Sequence, residues 1–266
     1  MQWITEQDLM SITVVTGASS GLGEEFVRAL VGRGQRVLAV ARRADRLAAL
    51  REELGESVVP LVQDLGEPGA AEAVALAAAE HGPVELLVAN AGRGRLGPFA
   101  DAPPTELAAM ITLNVQVNVE LARALVPGMV ERGRGGVLLV SSVSGLVPTP
   151  WMATYSATKA FLVTFAEALS EELRGTGVRV GAVCPGPVHT EFAGAAGMSM
   201  DTAPGARAAA PVVAEALAAF DRGRVVSVPS RMYRASSTLM RLLPRQVGRR
   251  AMGQGMSKAA LAPTDA

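Results

Sequence analysis

Short apolar runs rich in β-branched residues alternate with longer amphipathic runs along most of the 266-residue chain, and this alternation constrains the fold more than any other feature. The short runs predict strands, because they are too short for helices and are bounded by turn-forming residues. Strands of this apolar kind must be covered by helices on both faces of a sheet. The pattern therefore predicts an α/β fold with a doubly wound parallel sheet of about seven strands in a single domain.

The predicted elements follow one another through short connections. Strands are expected at residues 12–15, 36–40, 58–62, 84–89, 136–141, 178–183 and 224–228. Helices are expected at residues 24–31, 43–54, 69–81, 104–131, 154–174 and 212–220. The chain divides into an N-terminal extension (1–10), the α/β domain (11–228) with a substrate lid at 187–211, and a basic amphipathic tail (229–266).

Composition argues against several classes of protein. Because 25 basic side chains balance 25 acidic ones, we expect no binding to nucleic acid. A single cysteine, Cys184, excludes a disulfide framework, and with only two histidines we expect no metal site. No run of 18 apolar residues predicts a membrane span, and residues 1–8 lack the pattern of a secretory signal, so we expect a cytoplasmic protein.

A glycine-rich turn follows the first predicted strand and opens a helix; it reads Thr16-Gly17-Ala18-Ser19-Ser20-Gly21-Leu22-Gly23. Free N–H groups and the macrodipole at a helix N-terminus favour an anion such as a pyrophosphate. Gly17 permits a tight turn, while Gly21 and Gly23 leave room for phosphates and for the contact between helix and strand. The alternative is a structural turn without a ligand, but its place after the first strand favours a dinucleotide site.

Tyr155 and Lys159 lie four residues apart on a predicted helix, so the lysine ammonium can sit beside the tyrosine phenol. A phenol has a pKa of about 10, and a nearby cation favours its ionised form. Such a pair is suited to general acid–base catalysis at neutral pH. The alternative is an ordinary exposed helix start.

These motifs together resemble the short-chain dehydrogenase/reductase family in its common short type, over roughly residues 12–228. The resemblance rests on Thr-Gly-x-x-x-Gly-x-Gly, on Tyr-x-x-x-Lys, and on Ser142, thirteen residues before the tyrosine. It implies a Rossmann-type fold in which Tyr155 donates a proton to a carbonyl oxygen that Ser142 also binds. Lys159 would lower the pKa of the tyrosine and hold the nicotinamide ribose, and Asn114 would anchor a water of the proton relay.

The resemblance also implies a nicotinamide cofactor bound at the carboxyl ends of the strands. Ala41 stands where an acidic residue would bind the ribose of NAD, whereas Arg42 offers a planar fork to a 2′-phosphate, so we predict NADP(H) over NAD. The alternative is that Arg42 and Arg43 are solvated charges at a helix start. The predicted cofactor-binding residues are Gly17, Ser19, Ser20, Gly21, Leu22, Gly23, Arg42, Arg43, Asp64, Leu65, Asn90, Ala91, Gly92, Tyr155, Lys159, Pro185, Gly186, Val188 and Thr190.

The resemblance leaves the substrate open. Apolar residues in the lid, such as Met198 and Met200, and others near Phe99 favour an apolar carbonyl compound or secondary alcohol. The alternative is that these residues belong to the core. The predicted substrate-binding residues are Leu96, Val147, Trp151, Met152 and Phe192.

The tail has six arginines between residues 231 and 250 and no acidic residue between Asp221 and Asp265. A basic amphipathic helix of this kind can rest on an anionic membrane, or pack on its own domain or on a second subunit. The resemblance implies a homodimer or homotetramer formed through helices 104–131 and 154–174. We predict an NADP-dependent carbonyl reductase or alcohol dehydrogenase; the alternative is a catalytically silent nucleotide-binding regulator or scaffold.

Overall fold

The computed structural model describes residues 11–198, 205–242 and 245–260. Its strands are β1 (Ile12–Thr16), β2 (Val37–Ala41), β3 (Val58–Val62), β4 (Val84–Ala89), β5 (Gly135–Val140), β6 (Val178–Val183) and β7 (Val226–Ser227). Its α-helices are α1 (Gly21–Val31), α2 (Ala44–Leu54), α3 (Ala70–Ala79), α4 (Pro104–Ile111), α5 (Val117–Glu131), α6 (Ala153–Glu172), α7 (Glu191–Ala195), α8 (Ala209–Asp221), α9 (Arg231–Leu242) and α10 (Arg245–Ala260). The predicted extension at residues 1–10 and the lid residue Met200 lie outside the described residues.

The strands form one parallel sheet in the order β3-β2-β1-β4-β5-β6-β7. The strand order reverses between β1 and β4, and in sheets of this kind ligands bind at that point, outside the carboxyl ends of the strands. The predicted fold class, a doubly wound parallel sheet with seven strands, is confirmed.

Two apolar clusters cover the two faces of the sheet. One joins the strands to α3, α5 and α6, with Val74, Leu121 and Ala166 fully buried. The other joins them to α1, α2 and α8, through Phe26, Leu47 and Val213 among others. Helices on both faces explain why the strands are apolar without alternation.

The larger departures from the predicted elements lie in three regions; in addition, β7 is shorter than predicted and α1 begins earlier, at Gly21. The helix predicted at 104–131 is divided by a π-helical turn, Thr112–Gln116, which periodicity does not reveal because the turn adds a residue without changing the composition. The lid contains α7, and α8 begins at Ala209 rather than at residue 212. The tail forms two helices rather than one, and the division of the chain into domain and tail stays a prediction.

Helices in the described part of the chain are too short or too polar to cross a bilayer. Within residues 11–198, 205–242 and 245–260, three or more His, Cys, Asp or Glu side chains nowhere come together as a metal site would require.

Candidate active site

Tyr155 and Lys159 lie on the first two turns of α6 and face the same buried space. The Lys159 ammonium is 5.8 Å from the centre of the Tyr155 ring, and Tyr155 and Lys159 are only 7% and 4% exposed. The Lys159 Nζ donates a hydrogen bond of 2.8 Å to the carbonyl oxygen of Val140, the last residue of β5. The chain enters α6 through Trp151, which adopts a left-handed φ of 67°. The fold thus fixes the lysine at the carboxyl end of the sheet.

Burial governs the protonation of both groups in the ligand-free protein. It raises the pKa of the Tyr155 phenol to about 12, against the effect of a hydrogen bond with the Ser142 side chain. It lowers the pKa of the Lys159 ammonium to about 8. Loss of hydration of the phenolate therefore dominates in the ligand-free protein, and the role expected of Lys159, lowering the pKa of Tyr155, stays a prediction.

The two adjacent serines after β5 have different surroundings. Ser142 lies near enough to the Tyr155 phenol to lower its pKa, and the Ser142 hydroxyl accepts from the N–H of Ser144 at 3.1 Å. Ser141 instead donates to the carbonyl oxygen of Lys159 at 2.7 Å and is buried. Ser142 is therefore the serine that shares the space around the phenol.

Asn114 lies in the π-helical turn and links the loop after β4 to Thr158, the residue before Lys159. Its side chain accepts from the Arg93 N–H at 2.9 Å and donates to the Arg93 carbonyl at 2.9 Å and to Thr158 Oγ1 at 3.0 Å. The Asn114 Oδ1 and the Lys159 Nζ both lie beside Gly92, within 3.1 and 3.3 Å of the position that a Cβ atom would take there. The structure thus brings together Asn114, Ser142, Tyr155 and Lys159.

The loop after β4 fastens the glycine-rich turn. The backbone N–H groups of Asn90 and Ala91 each donate to Thr16 Oγ1 at 3.0 Å. The Asn90 Nδ2 donates to the carbonyl oxygens of Thr16 at 2.9 Å and Gly17 at 3.3 Å. Because β1 and β4 are the strands at which the sheet order reverses, these bonds set the floor of the expected crevice.

The glycine-rich turn has the close contacts that a pyrophosphate cradle needs. A Cβ atom on Gly23 would lie 2.1 Å from the carbonyl oxygen of Gly17, and one on Gly21 would lie 2.8 Å from the Thr190 methyl group. Side chains are thus excluded from the N-terminus of α1, whose backbone N–H groups remain for an anion. The residues present fit a dinucleotide cofactor.

Arg43, more than Arg42, is held against this turn. Its guanidinium donates to Ser19 Oγ at 3.2 Å and to the Ser19 carbonyl at 3.0 Å, and pairs with Glu191 at 2.8 Å. The Arg42 side chain is 75% exposed and approaches Asp64 at 3.7 Å. The two arginines therefore lie at the carboxyl end of β2, near Ser19. This is where the sequence predicts the binding site of a 2′-phosphate.

The segment after β6 closes the opposite side. The Pro185 carbonyl accepts from the Val143 N–H at 2.9 Å, and Val188 forms a bridge with Arg207. The Tyr233 ring packs against Gly186, a contact that joins α9 to the site and that sequence reasoning missed.

Two further residues near the ends of strands are buried. Leu65 is buried after β3. Cys184 packs with Val163 and Val228 after β6, and this burial raises the pKa of its thiol to about 12.

A cavity of about 210 Å³ opens beside Tyr155. Of the predicted substrate-binding residues, Trp151 and Met152 line it, while Leu96 and Phe192 pack against the cluster around Tyr155 and Val147 is in neither group. Sequence reasoning missed Arg95, which lines the cavity, and Met256 of α10, which packs against the cluster around Tyr155. Arg95 could have been found from its position just beyond the carboxyl end of β4, where ligands bind in such sheets. The lining residues are Arg95, Gly97, Pro98, Phe99, Ala100, Ala102, Leu107, Met110, Trp151, Met152, Ala153, Thr154 and Tyr155.

Known proteins are similar to this chain in sequence and in fold. The family model described as short chain dehydrogenase matches residues 11–200. A short chain dehydrogenase of Pseudocercospora fijiensis is 40% identical over 185 residues, or 67% of this chain and 60% of that protein. The NADP-dependent 3-hydroxy acid dehydrogenase of Salmonella typhi is 40% identical over 184 residues, or 68% of this chain and 74% of that protein. A short-chain dehydrogenase from Sphingobium yanoikuyae, solved in complex with NADPH, superposes with a TM-score of 0.78 at 32% identity, covering 88% of this chain and 97% of that one.

Proposed function

The chain belongs to the short-chain dehydrogenase/reductase family of oxidoreductases, and from this premise we propose that it transfers hydride between NADP(H) and a carbonyl compound or secondary alcohol. The observation that carries the proposal is the group formed by buried Tyr155 and Lys159 with half-buried Ser142 beside the dinucleotide crevice. Such a group can bind a carbonyl oxygen and transfer a proton to it. A helix start with a purely structural role would not require these side chains.

Each residue of the group has a distinct proposed role. Tyr155, with its pKa raised to about 12, keeps its proton at neutral pH and donates it to the carbonyl oxygen during reduction. Ser142 donates a hydrogen bond to the same oxygen and orients it. The Lys159 ammonium, fixed by Val140, stabilises the phenolate that remains and binds the cofactor ribose. Bound NADPH would supply the hydride for the carbonyl carbon.

NADP(H) is the proposed cofactor rather than NAD. Arg42, Arg43 and Ser19 offer cations and a hydroxyl to a 2′-phosphate, and the last residue of β2 is Ala41 rather than an acid. The solved Sphingobium relative contains NADPH and the Salmonella relative is NADP-dependent, which agrees with this choice.

The proposed substrate has a largely apolar body. The cavity beside Tyr155 is bounded mainly by apolar side chains, among them Phe99, Met110 and Met152. Its volume of about 210 Å³ favours a short molecule over a bulky one. The name of the Salmonella relative, a 3-hydroxy acid dehydrogenase, agrees with a small secondary alcohol or ketone.

A panel of short ketones and aldehydes, assayed for NADPH and NADH consumption, tests the proposal. We expect consumption of NADPH with at least one ketone, and slower consumption of NADH. Tight binding of NADPH without turnover on any member of the panel would instead support a nucleotide-binding regulator or scaffold.

Three further proposals concern the oligomeric state of the enzyme, its contact with membranes and its location in the cell. Exposed Ile111 and Phe161, on α4 and α6, support a homodimer or homotetramer, which sedimentation would detect. Exposed Met232, Leu239 and Val247 on the basic tail support contact with an anionic membrane, which vesicle flotation would detect. A cytoplasmic location is tested by cell fractionation.

A further inference from the structure

The cavity beside Tyr155 carries a single charged side chain among its described lining residues, Arg95. The remaining lining is apolar or uncharged apart from the Tyr155 phenol and the Thr154 hydroxyl. An arginine in an apolar cavity is costly to desolvate, and a ligand of opposite charge would offset part of that cost.

Contacts within the protein use only part of the Arg95 guanidinium. Its Nη1 lies 3.3 Å from Glu106 Oε2, and its Nη2 donates to the Asp101 carbonyl at 3.3 Å, both longer than a typical charge-assisted hydrogen bond. Its Nε is buried and has no hydrogen-bond partner among the residues that the structure describes. Since a guanidinium has five N–H donors, several remain for a ligand.

Arg95 also shares its acidic partner. Glu106 lies 3.9 Å from Arg93 as well, so that two guanidinium groups face one carboxylate. The Arg93 side chain is outside the cavity lining, whereas Arg95 is part of it. A ligand carboxylate would therefore complete the charge pairing at Arg95 and not merely replace an existing ion pair.

The backbone connects this cation directly to the catalytic tyrosine. Gly94 lies against the Tyr155 ring, because a Cβ atom there would be 3.4 Å from Tyr155 Cδ2. The next residue, Arg95, then extends towards Asp101, which precedes α4, and towards Glu106 in the first turn of α4. The phenol and the guanidinium thus border one small cavity, with Met152 and Trp151 also in its lining.

We propose that Arg95 binds a carboxylate of the substrate, so that the enzyme acts on short oxo acids or hydroxy acids whose carbonyl or hydroxyl carbon lies at Tyr155. The proposal rests on the proposed function and names its substrate class. The apolar lining contacts the carbon chain between the two groups, and Arg95 sets both affinity and orientation.

Matched substrates separate this proposal from the underlying activity. The assay measures NADPH consumption with short oxo acids and with their methyl esters, which differ in charge. It compares wild type with Arg95→Leu and Arg95→Lys, and Arg33→Gln is the control because Arg33 pairs with Asp221 at the surface away from the cavity. We expect Arg95→Leu to lower kcat/KM for the acids by about tenfold or more, chiefly through KM, and for the esters by less than about threefold. Arg95→Lys should recover part of the loss, and Arg33→Gln should resemble wild type.

Two kinetic outcomes and one binding outcome would overturn the proposal. Equal kcat/KM for acids and esters in wild type would show that the charge is not recognised, although the proposed function would stand. Equal losses for acids and esters in Arg95→Leu would assign Arg95 a structural role. Calorimetric titration with a short alkanoate gives a readout without turnover: binding to wild type but not to Arg95→Leu supports the site even if the chosen acids are not reduced, and equal binding contradicts it.

Discussion

The Lys159 ammonium is fixed by the Val140 carbonyl at 2.8 Å and lies 5.8 Å from the centre of the Tyr155 ring. Both side chains are buried, so each charge that forms there is poorly hydrated. The phenol therefore keeps its proton until a substrate oxygen can take it, and the ammonium is in place to stabilise the anion that results. This arrangement also makes the stability of the protein depend on pH.

Lys159→Met should change the pH dependence of stability. The folded-state pKa of Lys159 is about 8 against 10.5 for an ordinary lysine, so the unfolded chain binds more protons between these values and wild-type stability rises with pH there. Relative to Lys159→Met, wild type should gain about 2 kcal/mol between pH 7.5 and 10. Urea unfolding of both proteins across this range provides the measurement, and a constant difference would contradict it.

Arg42→Ala and Arg43→Ala should weaken the binding of NADP⁺ selectively. Loss of a charge-assisted hydrogen bond to a 2′-phosphate should raise the Kd for NADP⁺ by about tenfold or more, and that for NAD⁺ by less than about threefold. Calorimetric titration measures both values. Arg33→Ala is the control, since Arg33 pairs with Asp221 at the surface. Equal losses for the two cofactors would remove the assignment of the phosphate site.

Gly23→Ala should destabilise the fold and the cofactor site together. Its Cβ atom would lie 2.1 Å from the Gly17 carbonyl oxygen, a contact that requires the turn to shift. We expect a loss of about 2 kcal/mol or more in the free energy of unfolding. Gly194→Ala, with nothing within 4 Å of the added carbon, should change it by less than about 0.5 kcal/mol. Similar unfolding midpoints for the two variants would contradict this account of the turn.

Local patterns in the sequence were sufficient for the sheet, the helices on its two faces and the placement of the main site residues. The apolar strands could be recognised because both faces of the sheet are covered, as around Val14 and Val88. The spacing of Tyr155 and Lys159 predicts a shared helix face, and in the structure the two side chains lie together.

Features that depend on tertiary contacts could not be predicted in this way. The π-helical turn at Asn114 is stabilised by partners elsewhere in the fold, Arg93 and Thr158. The pKa of Tyr155 in the ligand-free protein depends on burial, which a sequence does not measure. Arg95 borders the cavity only because the loop after β4 returns along Tyr155.

The central claim is that the Tyr155 phenol donates the proton during carbonyl reduction, and Tyr155→Phe tests it most directly. Because the change removes only the hydroxyl group, it should lower kcat for ketone reduction by about 10²-fold or more and leave the Kd for NADPH and the unfolding temperature close to wild type. Tyr233→Phe, at the chain's other tyrosine, should keep kcat near the wild-type value. Wild-type turnover by Tyr155→Phe, with NADPH binding intact, would contradict the account.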